Sequence, residues 1–268
     1  MSEQNKPEAG SEFQFQPETP RPEESWSQPR RLKRPWQLPG FPVVTYSLLA
    51  LTVVFYIIQQ VIEGIYGFDL LFAYLGKINV LILAGQYWRL FTPALLHSSL
   101  IHLMFNMYAL SILGRQIEPF YGKWRFLLLY VIGAFGGNVL SFVLSRFNSL
   151  GASTAIFGLL AAEAVLIWQN REIFGKQSRS ILMNLAFVLV LNLFIGISPA
   201  SNTDNWGHFG GLLAGFFFAF MAGPLLEFRR RDVGTQLADS RTGKQVGLAA
   251  AMVLIAFAVI AAFPFFTN

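Results

Sequence analysis

From residue 43 onward the chain alternates between long apolar runs and short polar connections. Runs long enough to span a bilayer cover roughly 43–62, 99–114, 124–145, 152–169, 181–198, 207–226 and 247–266. A spanning helix needs ~20 predominantly apolar residues, with a lower limit near ~17. The pattern therefore predicts an all-α membrane protein with seven transmembrane helices. Proline supports these boundaries: Pro93, Pro119, Pro199 and Pro224 all fall in connections or at run ends, where a missing backbone N–H is tolerated. The stretch 70–84 is also apolar, but it is short and Lys77 and Asn79 interrupt it. It is expected to be an interfacial or re-entrant element within the first long connection, not an eighth span.

Residues 1–42 differ from everything after them. They hold 8 of the 13 prolines and 6 of the 15 acidic residues, with few aliphatics. Such a segment cannot bury enough apolar surface to offset its ordering entropy, so a disordered tail is expected. It is too acidic for a transit peptide, and its apolar run starts too late for a secretory signal. Composition adds two exclusions. The chain is 54% hydrophobic and 13% charged, about half the charged share of a soluble domain. With no cysteine, disulfides, thiolate metal sites and a Cys nucleophile are out of reach. The net charge of +5 does not point to nucleic acid, because the basic residues flank the apolar runs and topology accounts for them.

Those basic residues orient the chain. Arg30, Arg31, Lys33 and Arg34 precede the first span, and Arg115, Lys123 and Arg125 lie between the second and third. Arg171, Lys176 and Arg179 follow the fourth; Arg229, Arg230, Arg231, Arg241 and Lys244 follow the sixth. All fifteen lie on one side, against Lys77, Arg89 and Arg146 on the other. The positive-inside rule then places the N-terminus in the cytoplasm and the C-terminus outside. Short loops and the absence of a targeting segment point to a bacterial plasma membrane, with an organellar membrane as the alternative expectation. The organisation read from this is a cytoplasmic tail (1–42) with a basic juxtamembrane cluster, a six-helix bundle (43–226), a basic cytoplasmic loop (227–246) and a seventh helix (247–268).

Spans two, four and six all run inward, so His102, Ser153 and His208 fall in the outer parts of their helices. At 1.5 Å per residue each lies no more than about 10 Å below the surface. Ionisable groups within a membrane are costly and mark function by default. A serine hydroxyl needs a base to accept its proton, and His208 is the only histidine on the glycine-lined sixth span. There Gly207, Gly211 and Gly215 form a small-xxx-small stripe that permits close helix approach. Gly151, Ala155, Gly158 and Ala162 offer a matching surface on span four. His102 and Asn106, four apart on span two, can donate hydrogen bonds to a developing oxyanion together with backbone N–H groups. His97 falls at the loop–helix junction, where a structural role is expected. There is no HExxH pattern for a zinc site, and Asp69, Asp204, Asp232 and Asp239 lie outside the spans, so no paired-aspartate site is expected. Glu163 is the only acid well inside a span and lies roughly 15 Å deeper than Ser153, too far to orient His208. A Ser–His dyad without a carboxylate follows, needing no metal and no organic cofactor.

These residues resemble the rhomboid intramembrane serine proteases. Gly85-Gln86-Tyr87-Trp88-Arg89-Leu90 is similar to the family's first-loop Trp-Arg motif, and His97-(x4)-His102-(x3)-Asn106-Met107 to its second-helix motif. Gly151-Ala152-Ser153-Thr154-Ala155-Ile156-Phe157-Gly158 resembles the nucleophile motif, and His208-Phe209-Gly210-Gly211-(x3)-Gly215 the base motif. Glu118, Gly122 and Arg125 fit the pattern between helices two and three. The likeness covers roughly 85–223 and implies a six-helix rhomboid-like bundle plus one C-terminal helix. It implies Ser153 as nucleophile, His208 as base, His102 and Asn106 in the oxyanion hole, and Phe157 stacked on the base. It also implies cleavage of single-pass membrane proteins near the outer face, with 199–206 as a cap and span five as a lateral gate. The family usually has glycine after the serine. Here Thr154 stands in its place, and a β-branched residue is expected to narrow the space beside the nucleophile. The competing expectation is a non-catalytic rhomboid-like protein that binds membrane clients.

Overall fold

A computed structural model describes residues 41–197, 203–231 and 234–267. The tail expected to be disordered lies outside the described residues except for Phe41 and Pro42, and so do residues 199–202 of the expected cap. Among the described residues are seven helices of 17 to 24 residues: α1 (Val43–Tyr66), α2 (Leu100–Tyr121), α3 (Lys123–Leu144), α4 (Ser153–Gln169), α5 (Gln177–Ile197), α6 (Asn205–Ala222) and α7 (Gly243–Ala262). Each apolar run of the sequence lies on one of them. By length and composition, α1, α3, α5 and α7 are apolar enough to cross a membrane.

Glycine decides how closely the central helices pack. Helices α3, α4 and α6 meet backbone to backbone. A Cβ added at Gly137 of α3 would come within 2.6 Å of Gly207 O, and one added at Gly158 of α4 within 3.0 Å of Gly133 Cα. Helix α3 is the most enclosed of the four membrane-competent helices, with 72% of its apolar window buried, and α5 the most open, with 6%. Helix α7 starts with a reciprocal cap: Gln245 N donates to Thr242 Oγ1 and Thr242 N donates to Gln245 Oε1, the capping-box arrangement. It lays Val253 and Phe257 against the core, with Phe257 beside Gly136 of α3.

Pro119 departs from expectation, lying inside α2 and not in a connection. Tertiary contacts carry the helix past it. The neighbouring Glu118 is buried and accepts from Val44 N at 2.9 Å, Thr45 N at 2.8 Å and Thr45 Oγ1 at 2.6 Å. It thereby satisfies first-turn donors of α1 that have no partner in their own helix. The last turn of α2 is thus fixed by its role as a cap for α1.

The connection between α1 and α2 contains no span. It holds helices Leu70–Leu75 and Asn79–Leu83 and two 3₁₀ turns, Tyr87–Leu90 and Thr92–Leu95. The Trp-Arg pair fastens them together. Arg89, buried despite its charge, donates to Gln86 Oε1, Gly76 O and Ala73 O at 2.7–2.8 Å, and Trp88 Nε1 donates to Tyr74 O at 3.1 Å. Lys77, fully buried, donates to Phe147 O at 2.6 Å and Ser141 O at 3.3 Å. Burial lowers its ammonium from 10.5 to about 8, with Asp204 opposing the shift. Between those values the unfolded chain holds a proton that the folded chain has released, so stability rises with pH there. Thermal unfolding is expected to shift upward between about pH 8 and 10 in the native chain, and that increment should be missing in Lys77→Met.

The mostly helical fold, consistent with the all-α expectation, carries one short addition that the sequence did not suggest. The loop after α6 contains an antiparallel hairpin, β1 (Leu226–Arg231) and β2 (Gly234–Asp239), in register Phe228↔Leu237. Asp239 anchors it, accepting from Arg125 Nη1 at 2.7 Å and from Leu225 N at 3.0 Å. Asn170 holds its start, accepting from Leu226 N and donating to Pro224 O. These bonds give a charged, weakly alternating segment a fixed place to pair, which the basic residues of 227–246 concealed in the sequence.

Candidate active site

Two helix N-termini meet at one end of the bundle. Ser153 opens α4, directly after Gly151 and Ala152. Gly151 has φ +131°, a conformation that disfavours any side chain, and its N–H donates to Pro93 O at 2.9 Å. The loop before Ser153 is therefore tied to the turn Thr92–Leu95. His208 lies in the first turn of α6, where its own N–H donates to Asp204 O at 2.9 Å. Close packing of α4 on α6 brings the two side chains together, with Ser153 Oγ 2.8 Å from His208 Nε2.

Phe157, one turn below Ser153, stacks on the imidazole with centroids 4.1 Å apart and planes 13° apart. His208 is 8% exposed, and its Nδ1 has no hydrogen-bond partner among the described residues. If Ser153 donates to Nε2, the ring proton sits on Nδ1. No carboxylate orients that proton. Glu163 is engaged elsewhere: in the amide orientation that satisfies both groups, Gln116 donates to it at 2.9 and 3.2 Å.

His102 approaches from α2. Its ring edge lies over Gly151, where a Cβ would come within 2.8 Å of Cε1 and 3.0 Å of Nε2. Nδ1 is 3.2 Å from Ser98 Oγ, and the ring meets that of His97 edge-on at 5.0 Å. His97 is fully buried before the start of α2, and its N–H donates to Gln59 Oε1 of α1 at 3.2 Å. Asn106 is buried too, but its Nδ2 donates to His102 O at 2.9 Å. One amide N–H is thus spent inside its own helix, leaving a second.

The supporting glycines are contact points. A Cβ at Gly211 would collide with the backbone of Thr154, and one at Gly215 with that of Gly158. Thr154 does not narrow the space beside Ser153 as expected. One residue on, its side chain is turned about 100° round the helix. It packs instead toward α3 and α6, where its Cγ2 would meet a Cβ at Gly137 at 2.8 Å and one at Gly207 at 3.1 Å.

Sequence reasoning missed three contributors. Gly133, Gly136 and Gly137 of α3 supply a third smooth surface, signalled by glycine spacing in that apolar run. Asp204 caps α6 by accepting from Gly207 N at 2.9 Å, a role that an acid just before an apolar run announces. Ser141, apolar in its surroundings and without a motif, donates to Asp204.

A Rhomboid domain model matches residues 84–225, which takes in both helix N-termini and the helix that brings His102. The chain is similar to Rhomboid protease GluP of Bacillus subtilis (strain 168), 40% identical over 184 residues, 69% of this chain and 36% of GluP. It is similar to two Arabidopsis thaliana proteins as well. RHOMBOID-like protein 1 is 37% identical over 145 residues, 54% of this chain and 36% of that protein. RHOMBOID-like protein 5 is 40% identical over 140 residues, 51% of this chain and 44% of that protein. The chain spans less than half the length of each of these relatives. The matched region contains most of the apolar helices described above, and the chain is an integral membrane protein belonging to the rhomboid family.

Proposed function

We propose that this protein is an intramembrane serine endopeptidase that cleaves single-pass membrane proteins near the outer face of the membrane. The 2.8 Å contact between Ser153 Oγ and the buried His208 Nε2, with Phe157 stacked on the ring, carries this reading. Ser153 Oγ attacks the scissile carbonyl carbon while Nε2 takes its proton. His102, the second N–H of Asn106 and the free backbone N–H groups at the start of α4 stabilise the oxyanion. The tetrahedral intermediate expels the amine, which leaves with the proton from the imidazolium. Water then enters by the same route in reverse and releases the acyl group. The contact also counts against a client-binding protein without catalysis, which needs no serine on a histidine.

In this reading all seven long helices span the bilayer, six forming the catalytic bundle and α7 added outside it. The distribution of Lys and Arg supports a cytoplasmic N-terminus and an external C-terminus. Residues 1–42 are a cytoplasmic tail, and 227–246 a cytoplasmic connection carrying the hairpin. Mapping the fragments of a model single-pass substrate in proteoliposomes tests the proposal. A single cut in the outer third of the substrate's span supports it, and an intact substrate or cuts confined to the inner half contradict it. His102→Ala should lower kcat by ~10²–10³-fold while KM changes little, since oxyanion contacts form in the transition state. Equal losses in binding and turnover would exclude that role.

A further inference from the structure

Helix α6 begins one turn before His208, at Asp204, and this acid does more than cap it. Oδ1 accepts from Gly207 N at 2.9 Å, which completes the cap. The other carboxylate oxygen reaches a different helix and accepts from Ser141 Oγ of α3. Ser141 is fully buried, and its carbonyl accepts from the buried Lys77 Nζ at 3.3 Å. Capping alone needs no carboxylate, since Ser or Asn serves equally well. What Asp204 adds is the second oxygen and a charge that strengthens the bond from Ser141.

The surfaces it bridges explain why a tether is useful. Helices α3 and α6 face each other with glycine on glycine: a Cβ at Gly210 would meet Gly137 Cα at 3.0 Å, and one at Gly136 would meet Gly210 O at 3.2 Å. Smooth backbones allow close approach, but they offer few interlocking side chains to resist sliding along the axis. A directional bond between a carboxylate and a hydroxyl supplies that missing register. The imidazole itself is not its target, because His208 Nδ1 has no partner among the described residues.

We propose that Asp204, tethered through Ser141 to α3, is a positioning residue that sets the height and rotation of α6 so that His208 Nε2 stays in reach of Ser153 Oγ. The inference rests on Ser153 and His208 being the catalytic pair. Proton transfer needs the two atoms within about 2.6–3.2 Å, and an error near 1 Å can cost about 10²-fold in rate.

The test uses the full chain in proteoliposomes. Ser141→Ala and Asp204→Ser remove the same tether from opposite ends, and both leave a cap on α6. Three quantities are read: kcat and KM on a single-pass substrate, the rate at which a fluorophosphonate labels Ser153, and the Tm. Each variant should lose roughly 10- to 100-fold in kcat and in labelling rate, with KM within about twofold. The double variant should be no slower than either single one, because interacting partners are not additive. Native kcat in either variant, additive losses, or a loss of rate matched by a loss of folded protein would overturn the proposal. Ser153→Ala separates the two readings. Cleavage at the native rate in that variant refutes the catalytic pair, whereas its inactivity beside a fully active Ser141→Ala refutes the tether alone.

Discussion

Replacing His208 with alanine is expected to lower kcat by about 10²- to 10⁴-fold, the range for a positioned general base, with a much smaller change in KM. Serine is a weak nucleophile unless its proton has an acceptor at the moment of attack. Here the only side chain within hydrogen-bond reach of Ser153 Oγ among the described residues is His208, at 2.8 Å. The imidazole is held on one face by Phe157, which fixes the ring where Nε2 meets Ser153 Oγ. His102 lies beside Gly151, but it comes from α2 and meets the loop, not the serine hydroxyl. A steady-state comparison in proteoliposomes checks this, with folded protein normalised by thermal unfolding. A His208→Ala variant with native kcat would remove the base from the mechanism.

The second large effect is structural. Gly211→Val is expected to destabilise the bundle by about 1–3 kcal/mol or more, the usual range for overpacking, and to abolish cleavage. The site is severe because the added atoms meet main chain, not a flexible side chain: the obstacle is the carbonyl of Thr154. Thr154 adjoins Ser153, so any relief that separates α4 from α6 also separates Oγ from Nε2. Gly64, with open space around it in the last turn of α1, provides the contrast. There alanine should leave cleavage unchanged and raise stability slightly, by less than the ~1 kcal/mol that separates glycine from alanine in a helix interior. The paired measurement is Tm and cleavage rate for both variants. Equal tolerance at the two positions would show that close α4–α6 packing is not what assembles the site.

Much of this arrangement was legible before any coordinates. Long apolar runs identify helices because a chain in lipid must satisfy its own backbone donors and acceptors, and every such run lies on a long helix. Ser153, His208, His102 and Phe157 were singled out by depth, spacing and resemblance, and the fold brings them to one end of the bundle. What stayed hidden depends on tertiary neighbours. Pro119 sits in the last turn of α2, beside the Glu118 that caps α1. The hairpin exists because Asp239 and Asn170 hold its base. Asp204 was set aside for lying outside the spans, yet the first turn of a helix is where an acid has most leverage on it. Thr154 was assigned the wrong direction, and the 100° step of the helix already contained the correction.

The most direct test of the central claim is a side-by-side measurement of the native chain and Ser153→Ala in proteoliposomes containing a single-pass substrate. Thermal unfolding would confirm that both are folded. Cleavage by the native chain and none by Ser153→Ala is the predicted result. Cleavage by Ser153→Ala at the native rate would contradict the account, because Ser153 Oγ could not then be the nucleophile.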